Sequence, residues 1–400
     1  MEHSSIGASG AHRWMVCPGS VALIKKAPPQ RDSPYADEGT DAHELAHLCL
    51  ENKRDPGEFL GERMKKGNEV TDDMVEAVKV YIDTIESYAG TGKFIHLHEV
   101  KFDLSSIYPG LYGTADTVLI SSDMKRLVVI DYKHGKGVPV EVVDNKQLLY
   151  YGLGAICYGH VKGLFDAPTV FGFHQSLEEI ELVVVQPRCR HKDGGVRTWS
   201  IMSPLLDEFA TELYEAAIKT EDKDAPLNTG DHCKFCPAMA ICPAFGKEID
   251  DMAAQSFSVI KAGKEPKLPI PTELSLDQVA KIISKSDMIT DWLKAVNALA
   301  EDLAISGEII PGFKLVKREG NRKWIDEEAV ESRVGMMIDT EELYVKKLKS
   351  PAQIDKLLGK KNKEIIADLF MKPDLGPTLV PEHDKREAIV PSIGFDKIQN

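Results

Sequence analysis

What this 400-residue chain lacks narrows its class first. It has no run of about 18 apolar residues, so no membrane-spanning helix is expected. The opening stretch, MEHSSIGASGAHRW, has no apolar core of the kind a secretory signal needs, and a cytoplasmic location is the expectation. No internal repeat and no low-complexity tract occurs. Positive charge is in deficit: 49 Lys and Arg stand against 63 Asp and Glu, a net charge of −14. A protein that blankets nucleic acid is usually basic overall, so contact with nucleic acid here would need a local basic face. A disulfide framework is also missing, because the seven cysteines are an odd number in a chain without a signal.

What is present is ordinary for a globular protein: 43% hydrophobic and 28% charged residues, in a chain long enough for two or three domains. Along the chain, Ala11 to Lys26 reads as a short helix broken at Cys17-Pro18-Gly19. Ala27 to Tyr35 reads as loop. A helix is expected from Asp41 to about Asn52, with Thr40 as its N-cap, and another from Thr71 to Ala89. Strand patterns follow at Phe94–Phe102, Tyr112–Ser121 and Arg126–Tyr132. A helix over Asn145–Gly159, strands at Ile180–Gln186 and Val196–Met202, and a helix over Leu205–Lys219 complete the pattern. The layout is mixed α/β with one central sheet flanked by helices. Residues 1–255 are expected to form this domain and 256–273 a Pro-rich linker. Residues 274–400 would be a mainly helical accessory domain of unknown role, containing a long helix over Leu276–Ile305, a strand pair within Phe313–Trp324 and a short helix over Ser350–Leu358.

The chemistry concentrates in Gly113–Gly135, read as a β-hairpin. It sets Asp116 at the start of one strand against Asp131-Tyr132-Lys133 at the end of the next. Two carboxylates held close are costly unless a cation lies between them. A hard divalent ion such as Mg²⁺ takes oxygen ligands and keeps several waters. Lys133 shares the face of Asp131 by the strand period of two, where it can orient or activate a water or stabilise charge on phosphate oxygens. An isolated D-x-K is common on exposed strands. Here the apolar run Leu127–Ile130 feeds directly into the aspartate, which marks the exit of a buried strand.

Three cysteines crowd into ten residues, Cys233-x-x-Cys236-x5-Cys242. Thiolates so spaced suit Zn²⁺ or an iron–sulfur cluster, and three ligands call for a fourth. His232 is one candidate. Cys49, Cys157 and Cys189 lack partners. His43-Glu44-Leu45-Ala46-His47 also matches the H-E-x-x-H of zinc metalloproteases, with Glu44 as general base. That reading leaves the cysteines and the D-x-K hairpin unexplained.

Several motifs in order resemble the PD-(D/E)XK nuclease superfamily, and specifically its RecB-like branch. Gly39-Thr40-x-x-His43 looks like the branch's helical histidine motif, Gly113-Thr114-Ala115-Asp116 like its G-x-x-D, and Asp131-Tyr132-Lys133 like its D-x-K. Gln147-Leu148-Leu149-Tyr150-Tyr151 looks like its Q-L-x-x-Y helix, with Tyr150 a neighbour to Tyr151 in the motif's tyrosine place. The resemblance implies a restriction-endonuclease-like fold. It implies His43, Asp116, Asp131 and the Tyr132 carbonyl as ligands of Mg²⁺ or Mn²⁺, Lys133 as catalytic lysine, Glu99 on the first core strand, and Gln147 and Tyr151 over the DNA. By its AddB-type members it implies Cys17 as fourth partner of Cys233, Cys236 and Cys242, holding a [4Fe-4S] cluster that staples the domain's two ends, with Zn²⁺ the alternative. The whole chain, through Pro311-Gly312-Phe313, Arg322-Lys323-Trp324 and Lys349-Ser350-Pro351-Ala352, resembles a phage and prophage family of RecB-like proteins often catalogued only as a domain of unknown function. The implied activity is DNA cleavage, exonucleolytic rather than endonucleolytic, in the host cytoplasm. DNA and phage recombination or replication proteins would be its partners. A non-cleaving DNA-binding protein of the same fold is the alternative. For phosphate contact the sequence offers Lys136, Lys146, the group Arg188, Arg190, His191, Lys192 and Arg197, and a basic segment at Lys346–Lys363.

Overall fold

The computed structural model describes residues 4–28, 33–164, 177–256, 275–319 and most of 322–389. The chain divides into two units, Met1–Met288 and Ile289–Asn400. The expected linker lies, apart from Ser256, outside the described residues, and the division falls inside a long helix, Leu276–Ile305.

The first unit contains helices α1 (Ala11–Trp14), α2 (Gly19–Ile24), α3 (Pro34–Asn52) and α4 (Asp72–Ala89). Strands β1 (Phe94–Asp103), β2 (Tyr112–Ser121) and β3 (Arg126–Tyr132) follow, then helix α5 (Lys146–Val161), strands β4 (Glu179–Val185) and β5 (Val196–Ile201), and helices α6 (Ser203–Lys219) and α7 (Pro243–Ser256). The five strands form one mixed sheet in sequence order. Only the β3–β4 neighbours are parallel, joined by the crossover that contains α5. Alternate residues of the central strands enter opposite layers, as the strand period requires. Leu127, Val129, Leu182 and Val184 pack with α5 and α6, whereas Val128, Ile130, Val183 and Val185 pack with α3 and α4. A sheet covered on both faces needs apolar side chains at every position. That explains the unbroken run Leu127–Ile130, all of it fully buried.

Helix ends follow local chemistry. The Thr71 hydroxyl accepts from the Met74 amide, and the Asn145 side chain accepts from the amides of Gln147 and Leu148. The start of α3 differs from the sequence expectation. Ser33 is its N-cap, with Pro34 in the first turn, and the Ser33 hydroxyl accepts from the Ala36 amide at 3.1 Å. Thr40 lies inside the helix, its hydroxyl donating to the Ala36 carbonyl. The Pro-rich look of residues 28–34 hid a proline at a helix start, and the longer helix carries Glu38 as well as His43.

Asp41 fixes this helix. Its carboxylate is fully buried and accepts from the amides of Lys66 (2.7 Å) and Asn68 (3.0 Å) and from the Asn68 side chain (2.8 Å). Asp41→Ala would strand three donors and is expected to cost about 3 kcal/mol, read as a shift in urea unfolding midpoint. An unchanged midpoint would show that the loop at 64–69 is not anchored this way.

In the second unit, strand β6 (Phe313–Glu319) pairs with β9 (Asp374–Pro381), and β7 (Lys323–Trp324) with β8 (Phe370–Met371). The expected strand pair within Phe313–Trp324 is therefore replaced by pairing to a distant segment. Alternation marks a strand without naming its partner. Among the described residues these two small sheets accompany helices α8 (Glu327–Val334) and α9 (Thr340–Leu343). Val330, Val334, Leu343, Ile354, Ile366 and Leu369 form the unit's core. Most of the expected helix at Ser350–Leu358 and of the basic segment Lys346–Lys363 lies outside the described residues.

Candidate functional site

The site forms where β2 and β3 splay apart. Their ladder runs regularly to Thr117 opposite Ile130. One step further Asp116 and Asp131 face each other, and the Asp116 carboxylate replaces a backbone partner by accepting from the Tyr132 amide at 2.7 Å. On the other side, the register pairing His98 with Thr117 and Val100 with Ala115 puts Glu99 across from Asp116. Glu99 has φ +48°, a left-handed conformation costly for a residue with a side chain. From α3, His43 Nδ1 comes within 3.5 Å of Asp116.

His43, Glu99 and Asp116 each offer a ligand atom, all within 4.8 Å of one another. Octahedral Mg²⁺ places neighbouring ligands about 3 Å and opposite ones about 4 Å apart, so the donor set fits a hard divalent ion in both chemistry and spacing. Burial raises the Glu99 carboxyl above its usual range, and the Asp116 charge adds to this. A bound cation would relieve that penalty.

Asp131 is not in this group of three. It is 2% exposed, and its two oxygens lie 2.9 and 3.0 Å from Lys133 Nζ. Burial pushes the Asp131 carboxyl up. For Lys133 burial acts against the charge, but the Asp131 and Asp116 carboxylates outweigh it and hold the ammonium above its usual range. Lys133 also donates to Gln147 Oε1 at 3.1 Å, and Gln147 Nε2 donates to the Tyr151 hydroxyl at 3.0 Å. The motif residues Asp131, Lys133, Gln147 and Tyr151 thus form one hydrogen-bonded chain. Tyr150, by contrast, is fully buried, with no partner for its hydroxyl among the described residues.

Tyr132 is held on three sides. Its ring stacks on Tyr81 (4.9 Å) and meets His43 edge-on (5.2 Å), and its hydroxyl is hydrogen-bonded to His134 at 2.8 Å. His134 is buried, which together with nearby Arg188 lowers its pKa to about 4. Behind it, Arg188 bonds Glu38 (2.8 Å), Asp73 (2.9 Å) and the His134 carbonyl. Sequence reasoning missed this support, because its members come from α3, α4, β3 and the segment after β4. A start to α3 at Ser33-Pro34 was the one available signal, since it would have put Glu38 on the same helix as His43.

Several of the cations that the sequence offered for phosphate contact have carboxylate partners. Arg188 is spent on Glu38 and Asp73, Lys136 on Asp73, Lys146 on Glu212, and His191 on Glu141. Arg197 is buried, donating to Gly194 and Val140 carbonyls and to Gln186. These cations serve the fold, and only Arg190 and Lys192 of the group are exposed. In the H-E-x-x-H stretch, Glu44 accepts from the Lys65 amide at 2.9 Å and His47 faces Glu51.

Asn228 links Cys17 to the segment that carries the three late cysteines. The Asn228 amide donates to Cys17 Sγ at 3.3 Å, and Cys233 Sγ lies 3.9 Å from the Asn228 carbonyl. Gly19 makes this approach possible. Its amide donates to the Pro226 carbonyl, and a Cβ there would lie 2.4 Å from the Ala225 carbonyl. Burial raises the Cys233 and Cys236 thiols, and the neighbouring sulfurs, Cys17 and Cys242 among them, raise them further. His232 Nε2 is occupied by the Asn228 carbonyl at 2.9 Å. Cys49 and Cys157 are buried in the two core layers, and Cys189 is buried after β4.

Among solved structures, one described as "Crystal structure of SSO0001" is 16% identical, covering 56% of this chain and 95% of that one with a TM-score of 0.22. That is too slight a likeness to carry an argument about fold or activity. No helix among the described residues is long and apolar enough to cross a membrane. The family model described as "Protein of unknown function (DUF2800)" matches residues 3–387, nearly the whole chain, and the protein belongs to that family.

Proposed function

We propose that this protein is a metal-dependent DNA nuclease with a restriction-endonuclease-like core. The observation that carries the reading is the convergence of His43, Glu99, Asp116, Asp131 and Lys133 at the open end of β2 and β3. Mg²⁺ or Mn²⁺ held by His43, Asp116 and Glu99, with Asp131 and the Tyr132 carbonyl beside them, would supply Lewis acidity and an activated water. Lys133, fixed by Asp131 and Gln147, stabilises negative charge developing on the phosphate oxygens. Gln147 and Tyr151 hold that lysine in place and present α5 to the substrate. Exonuclease action and a setting in phage recombination or replication rest on the sequence resemblance to RecB-like proteins.

The cysteine quartet is proposed to hold a [4Fe-4S] cluster rather than Zn²⁺. The choice of cluster over zinc rests on the sequence resemblance to AddB-type proteins. The zinc-protease reading is disfavoured because Glu44, its general base, is committed to a backbone amide.

The test is incubation of linear single- and double-stranded DNA with the purified protein and Mn²⁺, against an EDTA control. Metal-dependent release of nucleotides is the expected outcome. DNA that is bound but left intact would instead favour a non-cleaving DNA-binding protein that has kept the fold. As a second readout, Glu99→Gln is expected to weaken Mn²⁺ binding by about tenfold or more in titration calorimetry; unchanged affinity would remove Glu99 from the ligand set.

A further inference from the structure

Phe235, inside the Cys233-x-x-Cys236 turn, is 75% exposed. Its φ is +64°, a conformation that glycine adopts freely and a bulky side chain does not. The tight turn explains the backbone angle but not the choice of a phenylalanine there. Lys234 lies beside the ring, its Nζ 5.7 Å from the ring centre, and the lysine is exposed with no carboxylate partner among the described residues.

The turn adjoins α1, which carries His12 and Arg13. Asn228 ties the two together by donating to the Val16 carbonyl at 2.6 Å and to Cys17 Sγ. At its other end the same segment touches the proposed active site. A Cβ on Gly113 would lie 3.1 Å from Ala8 and 3.3 Å from the Tyr151 ring. Burial, with Arg13, His232 and Lys133 nearby, holds the His12 imidazole below its usual range, and Arg13 also acts on the Cys236 thiol. Arg188, Lys136, Lys146 and His191 are paired with carboxylates, whereas Arg190 and Lys192 are exposed. Arg13 and Lys234 have no carboxylate partner among the described residues, although Asp231 opens the turn. Arg13 and Lys234 are thus two cations on adjoining segments, and Lys234 lies beside an exposed aromatic ring. In a chain of net charge −14, this local reversal of sign calls for a polyanion. The flat aromatic face calls for a polyanion with unstacked bases.

We infer that α1 and the Cys233–Cys236 turn form a track for an unpaired DNA strand, on which Phe235 stacks against a base while Arg13 and Lys234 contact phosphates. The inference rests on DNA being the substrate, and it adds the preferred form, single-stranded or frayed ends over intact duplex. Base–aromatic stacking tolerates any sequence, which suits a nuclease without a recognition site.

The test uses short single strands carrying 2-aminopurine, whose fluorescence is quenched on stacking, mixed with the full chain in EDTA so that no cleavage occurs. Wild type and Phe235→Trp are expected to quench the probe. Phe235→Leu keeps apolar bulk without the aromatic face; it should lose the quench and bind single strands about tenfold more weakly. Arg13→Gln and Lys234→Gln should each flatten the salt dependence of binding by about one phosphate contact. Quenching by Phe235→Leu equal to wild type would overturn the inference, as would equal affinity of wild type for blunt duplex and single strand. Visible absorption of each variant shows whether the turn is intact. A wild type that quenches but never cleaves would defeat the nuclease reading and leave the track standing. One that cleaves but is indifferent to Phe235→Leu would do the reverse.

Discussion

Asp131→Ala is expected to reduce metal-dependent DNA cleavage by about 10³-fold or more while the protein remains folded. The argument starts from burial. Asp131 is 2% exposed, and its carboxyl is already pushed up by desolvation. A buried charge is a burden on the fold unless it is paired. Removing it lifts that burden and frees Lys133, whose side chain is partly exposed and can turn to water. Stability should therefore change little. The loss falls on chemistry, because Lys133 is positioned by two groups, Asp131 and Gln147. Removing a single preorganised donor from a developing oxyanion costs about 10²–10³ in rate. Losing Asp131 also takes a carboxylate from beside the cation site. Lys133→Ala should be equally inactive but less stable, because it leaves the Asp131 carboxylate buried without its cation. The measurement pairs a nucleotide-release assay in Mn²⁺ with urea unfolding of both variants. Full activity in both would remove this end of the sheet as the catalytic site.

Cys236→Ser is expected to act in the opposite way, on the fold more than on the chemical step. Cys17 precedes α2, whereas the other three cysteines follow α6, so a group bridging them cross-links the two ends of the first unit. In a chain-entropy account, closing a loop longer than 100 residues stabilises the folded state by about 5 kcal/mol. The serine variant should lose the broad visible absorption of an iron–sulfur cluster in anaerobically purified protein, and its urea midpoint should fall accordingly. Cys157→Ser, in the core beside Ser106, should keep the colour and serves as the control. A colourless wild type containing one zinc per chain would replace the cluster with zinc, and a wild type with no metal would reduce the quartet to packed thiols.

The two predictions separate two kinds of legibility. The course of β3, Arg126–Tyr132, could be read directly, because its run Leu127–Ile130 is buried on both faces and so apolar at every position, and Asp131 marks its exit. The helix starts near Thr71 and Asn145 were legible, and the structure makes each an N-cap, a contact between residues two or three apart. The start of α3 was legible in principle, in Ser33-Pro34, but a cluster of prolines also describes a loop, and local chemistry did not decide between them.

The sequence by itself determined the inventory: two aspartates and a lysine at a strand exit, a histidine on an upstream helix, a Gln–Tyr pair on a downstream one, and four cysteines bracketing the unit. These are strings of residue types, and short-range geometry turns each string into a face or a turn. Only the tertiary structure decided which members meet. It placed Glu99 with His43 and Asp116, and tied Asp131 to Lys133. It turned Arg188 and Arg197 inward as counterion and donor, paired Lys136 with Asp73, and left Arg13 and Lys234 without carboxylate partners among the described residues. The reason is physical. The partner of a charge is set by which distant segments the sheet register and the crossover through α5 bring within a few ångströms, and no local pattern encodes that distance.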